Sequence, residues 1–241
     1  MKTALVKFYR NLFCRGGYGV HSPFVFDLIT NVIEEQWLYY CYERLHPVRL
    51  QIKQSGRKIT LRHRTMPVAK ALRTYCFTEQ EDRLLFRLAN HFQPKTLFVA
   101  GSDFGLTPLY LSAYSASTTC TIIEPEPSIA TIAQEYLPKY ATATSVLQDS
   151  VADIPDNLDF IVISSFFEPI SMQLFESLLL HINDNTVMVV AGINASAINR
   201  KTWKSICTHP KVTVTIDLYR LGIVLFNPKL HRQTYKSIVM D

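Results

Sequence analysis

The chain has 241 residues, 48% of them hydrophobic and 19% charged, with five cysteines and a formal net charge of +5. This is an ordinary globular composition, long enough to bury one sizeable core with a smaller helical appendage. No apolar run approaches the roughly 20 residues needed to cross a bilayer, so a membrane-spanning role is excluded.

The charge is uneven. Residues 1–73 carry 13 Lys or Arg against 4 acids, and residues 74–241 carry 12 against 16. A basic front invites an acidic partner, nucleic acid included, but the basic run has no interleaved aromatics and no nucleic-acid motif, so that function ranks last. A solvated helical face, or a surface set against the acidic remainder, explains the asymmetry more simply. Cys14, Cys41, Cys76, Cys120 and Cys207 are odd in number, scattered and free of Cys-x-x-Cys pairs, which points to reduced thiols in a cytoplasm. Lys7 and Arg10 interrupt the first apolar stretch before a signal-peptide core can form, so export is not expected.

In chain order, Leu5, Phe8, Tyr9, Leu12 and Phe13 share one side of an amphipathic helix, a surface that suits a homodimer. Glycines at 16, 17 and 19 end it. Ser22 and Pro23 then start another helix as N-cap and first residue, with Phe24, Val25, Leu28, Ile29, Val32 and Ile33 on its buried face. His21 stands just before it as a capping residue or a ligand contact. Residues 34–50 suggest a further helix, and residues 51–73, the most basic segment, suggest a mobile or partner-ordered loop. A capping box, Thr78-Glu79-Gln80-Glu81, opens the helix that leads into the main domain. The predicted division is therefore a basic helical extension, residues 1–77, and an α/β domain, residues 78–241.

That domain is organised around residues 96–111. An apolar run, Thr96-Leu97-Phe98-Val99-Ala100, stops at Gly101. Ser102, Asp103 and Phe104 lead to Gly105, and Leu106, Leu109 and Tyr110 then recur at helical spacing. This is strand, glycine turn, helix, the arrangement that lets a ligand approach backbone at a strand end. It lacks the third glycine of the dinucleotide fingerprint and is better suited to a nucleoside cofactor. The next strand ends in Glu124, placed to accept ribose hydroxyls. Strand-helix units continue through 144–147, 158–163 and 186–190. Residues 211–217 and 223–226 then form a tight antiparallel pair.

The pattern over residues 78–227 resembles the class I S-adenosylmethionine-dependent methyltransferases. Tyr18-Gly19-Val20-His21-Ser22-Pro23-Phe24-Val25-Phe26-Asp27, Leu84-Leu85-Phe86-Arg87-Leu88 and residues 203–226 resemble more narrowly a bacterial group related to catechol-type O-methyltransferases. The resemblance implies a Rossmann-like, doubly wound, seven-stranded, mostly parallel sheet with one antiparallel strand. It implies S-adenosylmethionine as cofactor, with Ala100, Gly101, Ser102, Asp103 and Gly105 under its methionine part, Glu124 on its ribose, Asp149 and Ser150 beside its adenine, and Ser164 at the fourth strand's end. The chain departs from the family at three acidic positions, which here read Ala100, Ser164-Ser165-Phe166-Phe167 and Ala191-Gly192-Ile193. Ala191 and Gly192 offer no side-chain oxygen to a divalent cation, so no metal is expected. Three functions follow in order: a metal-independent methyltransferase for a small apolar or aromatic acceptor, a catalytically silent binding or scaffolding subunit on the same fold, and a nucleic-acid methyltransferase.

Overall fold

The structure, a computed structural model, describes residues 9, 10, 13–61, 63–148, 154–164 and 170–239. A front segment comes first: helix α1 (Pro23–Leu28) runs into a π-helical turn (Ile29–Ile33), and α2 (Tyr40–Gln54) follows. A two-stranded hairpin, β1 (Lys58–Leu61) with β2 (Arg64–Pro67), leads to α3 (Val68–Tyr75). The α/β portion is α4 (Glu79–Phe92), β3 (Thr96–Ala100), α5 (Leu106–Leu111), β4 (Thr119–Ile123), α6 (Pro127–Tyr140), β5 (Thr144–Gln148), β6 (Leu158–Ile163), α7 (Met172–Leu178), β7 (Ile182–Ala191) and α8 (Ala197–Thr208). It closes with β8 (Val214–Asp217), β9 (Leu221–Leu225) and β10 (Gln233–Lys236).

The main sheet runs β10-β8-β9-β7-β6-β3-β4-β5. Only β9 is reversed, pairing antiparallel with both β7 and β8. The expected sheet is present with one strand more, because β10 adds to β8 in parallel at the edge. The chain builds outward from β3 to β4 and β5, then returns to place β6 on the other side of β3. That reversal leaves a crevice at the carboxyl ends of β3 and β6.

Central strands are apolar on both faces, as helices on either side require. Leu97, Val99, Phe160, Val162, Val187 and Val189 enter the core shared with α1 to α6. Phe98, Ile161, Ile163, Met188 and Val190 enter the second core, where Phe175, Leu178, Trp203 and Ile206 of α7 and α8 meet them.

Local signals account for the helix ends. Thr78 and Glu81 form the expected capping box on α4, and the Ser22 side chain accepts a hydrogen bond from the Val25 amide at the start of α1. The buried Arg87 of α4 donates to the Val32 and Ile33 carbonyls, which the π turn leaves without helical partners.

Residues 51–73 are not a mobile loop but the end of α2, the hairpin and most of α3. Ile59 and Leu61 alternate inward from the outward Lys58 and Thr60, and this period of two escaped notice among the charges. The basic front is also paired within the chain. Arg10 with Asp217, Arg49 with Asp82 and Arg57 with Glu135 each join a front cation to an acid of the remainder.

Gly222 on β9 faces the Trp203 indole of α8 so closely that a Cβ would overlap the ring. Gly222→Ala should therefore lower stability in urea unfolding by about 1 to 3 kcal/mol, with Trp203→Leu restoring part of the loss in the double variant. An unchanged midpoint would show that the indole has room to move.

Candidate functional site

The glycine turn and Glu124 meet at one place. Gly101 sits at φ +93°, in the left-handed region, and its amide donates to the Ile123 carbonyl at 2.8 Å. A Cβ on Gly101 would lie 2.8 Å from the Cβ of Ser164, so only glycine lets the turn pass the end of β6. Glu124 Oε2 accepts from the Ser102 amide at 2.8 Å and from Ser102 Oγ at 2.7 Å, and Oε1 accepts from the Glu126 amide at 3.1 Å. This buried carboxylate thus pins the turn after β3 to the tip of β4.

Asp103 and Phe104 are non-glycine residues at φ 49° and 62°, a backbone that persists only when its surroundings hold it. Phe104 is fully buried. The Asp103 carboxyl bonds the Phe77 amide at 3.0 Å, Thr107 Oγ1 at 3.2 Å and Ser164 Oγ at 3.3 Å. Thr107 Oγ1 also lies 3.0 Å from Asp82 Oδ1, and Asp82 pairs with Arg49. One hydroxyl has one proton, so it donates to one carboxyl and must receive from the other. Arg49 favours the charged form of Asp82, which leaves the proton on Asp103. Burial, reinforced by the charge of Glu124, pushes the Asp103 carboxyl up to about 7. Burial also raises Asp82, against the opposing pull of Arg49.

Above the turn is a cavity of about 630 Å³. Its floor comes from Ala100, Gly101, Asp103 and Phe104, from Ile123 and Glu124, and from Ser164. Its other wall comes from the front segment: Thr60, Leu61 and His63 of the hairpin, and Ala71, Tyr75 and Cys76 of α3 and its end. The hairpin is fastened over α6 by Ser128 Oγ donating to the Thr60 carbonyl at 3.2 Å and by the 2.7 Å pair of Arg57 with Glu135.

Of the residues singled out in the sequence, Ala100, Gly101, Asp103, Glu124 and Ser164 line this cavity. Ser102 lies behind it, bonded to Glu124, and Gly105 packs on Ala133 and Leu137 of α6. Asp149, Ser150, Ser165, Phe166 and Phe167 fall outside the described residues, as does most of the N-terminal amphipathic stretch. His21 is not among the cavity's lining residues, whereas His63 is. The hairpin and α3 contributions were missed because no local pattern ties them to the strand ends. At the end of β7 the Gly192 amide donates to the Arg220 carbonyl and Asn194 donates to the Tyr219 carbonyl. Among the described residues no group of three His, Cys, Asp or Glu is arranged to hold a metal.

No protein-family model matches the sequence. No curated protein matches it either. Solved structures do resemble it. An O-methyltransferase of tomaymycin synthesis from Streptomyces achromogenes, in complex with SAM, aligns at TM-score 0.54 and 13% identity over 82% of this chain and 93% of that one. An O-methyltransferase from Bacillus cereus in complex with SAH aligns at 0.53 and 15% identity over 78% and 92%. A methyltransferase from Geobacter sulfurreducens aligns at 0.55 and 15% identity over 75% and 96%. The fold is that of the class I S-adenosylmethionine-dependent methyltransferases. At such identities the likeness is one of fold. Within that methyltransferase fold, the crevice at the strand ends is where the cavity lies. No helix among the described residues is long and apolar enough to cross a membrane.

Both buried carboxyls hold protons to higher pH in the folded chain than in the unfolded one. The folded state therefore binds more protons above about pH 4, and stability should fall as pH rises through about 7. Asp103→Asn removes the Asp103 part of this titration. Urea unfolding at pH 5 and pH 8 should show the wild type losing about 2 to 4 kcal/mol more than the variant over that interval. Parallel pH profiles would place the proton elsewhere.

Proposed function

We propose that the cavity binds S-adenosylmethionine and that the chain transfers its methyl group, without a metal, to a small apolar or aromatic acceptor. The observation that carries this is the junction of Ser102 with Glu124 at the floor of a 630 Å³ cavity on the carboxyl ends of parallel strands. A carboxylate has about four acceptor positions, and three on Glu124 are taken by Ser102 and Glu126. The remaining one on Oε1 suits one ribose hydroxyl. Backbone at Ala100 and Gly101 allows the cofactor's close approach, and Ile123 and Ile129 offer it an apolar flank. Asp149 and Ser150 are assigned to the adenine on the resemblance stated above.

Bound there, S-adenosylmethionine supplies an electrophilic methyl group on a sulfonium. The protein's part is to bind, orient and exclude water, which is the main requirement of an in-line methyl transfer. Ala191 and Gly192 bring no side-chain oxygen to the end of β7, which supports a reaction that needs no divalent cation. The five cysteines are all free, consistent with a cytoplasmic protein, and we read the molecule as a homodimer. A second reading, a binding or scaffolding subunit without catalysis, is favoured by the same absences at Ala100, Ala191 and Gly192.

Calorimetric titration separates the readings. S-adenosylmethionine and S-adenosylhomocysteine should bind in the micromolar range, and Glu124→Ala should weaken them about tenfold or more. No binding at millimolar ligand would favour the scaffold. Methyl transfer should be indifferent to added magnesium or to chelator, and strong magnesium dependence would contradict the assignment at Ala191 and Gly192.

A further inference from the structure

A hydroxyl acceptor must lose its proton as it takes a methyl group, and where no metal acidifies it a side chain that accepts that proton speeds the transfer. The cavity offers six titratable groups: His63, Tyr75, Cys76, Asp103, Glu124 and Glu126. Five are committed. Asp103 is bonded to Phe77, Thr107 and Ser164, and Glu124 to Ser102 and Glu126. Glu126 Oε1, at 3.1 Å, shares the Ser128 Oγ proton with the Thr60 carbonyl, Cys76 is a buried thiol whose ionisation burial opposes, and Tyr75 has a partner of its own.

His63 differs from all of these. It makes no hydrogen bond among the described residues and remains exposed, so its imidazole is open both to the cavity and to solvent. Its backbone is unusual as well. Leu61 pairs with Arg64, which puts His63 in the two-residue hairpin connection at φ 65°. That position ordinarily falls to glycine or asparagine, and histidine is among the few other residues that tolerate it.

Resting on the cofactor reading above, we propose that His63 is the base of the reaction and that the acceptor is a small phenol-like molecule, its hydroxyl directed at the hairpin and its ring against Leu61, Ala71 and Leu174. A lone pair of the acceptor oxygen attacks the methyl carbon. The new O–C bond forms as the S–C bond breaks, and that electron pair returns to sulfur, leaving a neutral thioether. The acceptor's proton passes to the free imidazole nitrogen of His63 and from there to water. The front segment thus supplies chemistry as well as cover, and the sheet supplies the cofactor floor.

The test uses the full chain with radiolabelled S-adenosylmethionine and two probes, 4-methylphenol and 4-nitrophenol, at mildly alkaline pH where only the second is already ionised. His63→Gln should lower transfer to 4-methylphenol by about 100-fold or more. Transfer to 4-nitrophenol should change little, S-adenosylhomocysteine binding by calorimetry should stay within about twofold, and added imidazole should restore His63→Gly. Equal losses on both phenols would assign His63 a structural role and overturn the proposal. So would failure of a wild type that binds S-adenosylhomocysteine to methylate either phenol. Failure to bind S-adenosylhomocysteine at all would remove the cofactor reading and this proposal together.

Discussion

The carboxylate of Glu124 sets the geometry around it. A buried anion must find donors, and charge-assisted bonds to backbone amides are among the strongest it can make. Glu124 finds them on Ser102, across the gap between two strands, and on Glu126, two residues ahead. The turn after β3 is thereby held against the tip of β4, Gly101 is forced past Ser164, and the left-handed backbone at Asp103 and Phe104 is kept in place. The bonds of the Asp103 carboxyl to Phe77, Thr107 and Ser164 and the burial of Phe104 add to this tie in holding two successive non-glycine residues in a left-handed conformation.

Beneath the turn the polar groups form a chain with a direction. A proton on Asp103, the Thr107 hydroxyl, the Asp82 carboxylate and the Arg49 guanidinium follow one another inward. Arg49 belongs to α2, so the charge balance under the glycine turn depends on the front segment. The same holds for the hairpin, which would be marginal alone and is stabilised by Ile59 and Leu61 packing inward and by its ties to α6. The basic surplus of residues 1–73 is in part the complement of the acids it meets within the chain.

Ala100, at the end of β3, lines the cavity without an acid. Apolar side chains from the hairpin, α3 and α7 face a floor of backbone and the carboxyls of Asp103 and Glu124, whose acceptor positions are mostly taken within the protein. Such a cavity recognises a ligand mostly by shape and apolar contact, with few hydrogen bonds to orient it.

The strands, the glycine turn and Glu124 were legible in the sequence because each is a local matter: β-branched runs, a break at Gly101 and a helix period after Gly105. The tight pair near the end of the chain had to be antiparallel, since so few residues cannot make a crossover. The eighth strand, four residues with one buried side chain, carried too weak a pattern to be seen. Nor could sequence spacing bring Thr60, His63 and Tyr75 over Glu124, or join Arg49 to Asp82 and Arg10 to Asp217, because these contacts span from 33 to 207 positions and arise only when the front segment packs on the sheet. Local propensity settled which elements exist and where the glycine turn falls at the strand ends. Tertiary packing alone decided what closes the cavity above it, because burial of side chains distant in sequence is a property of the folded whole.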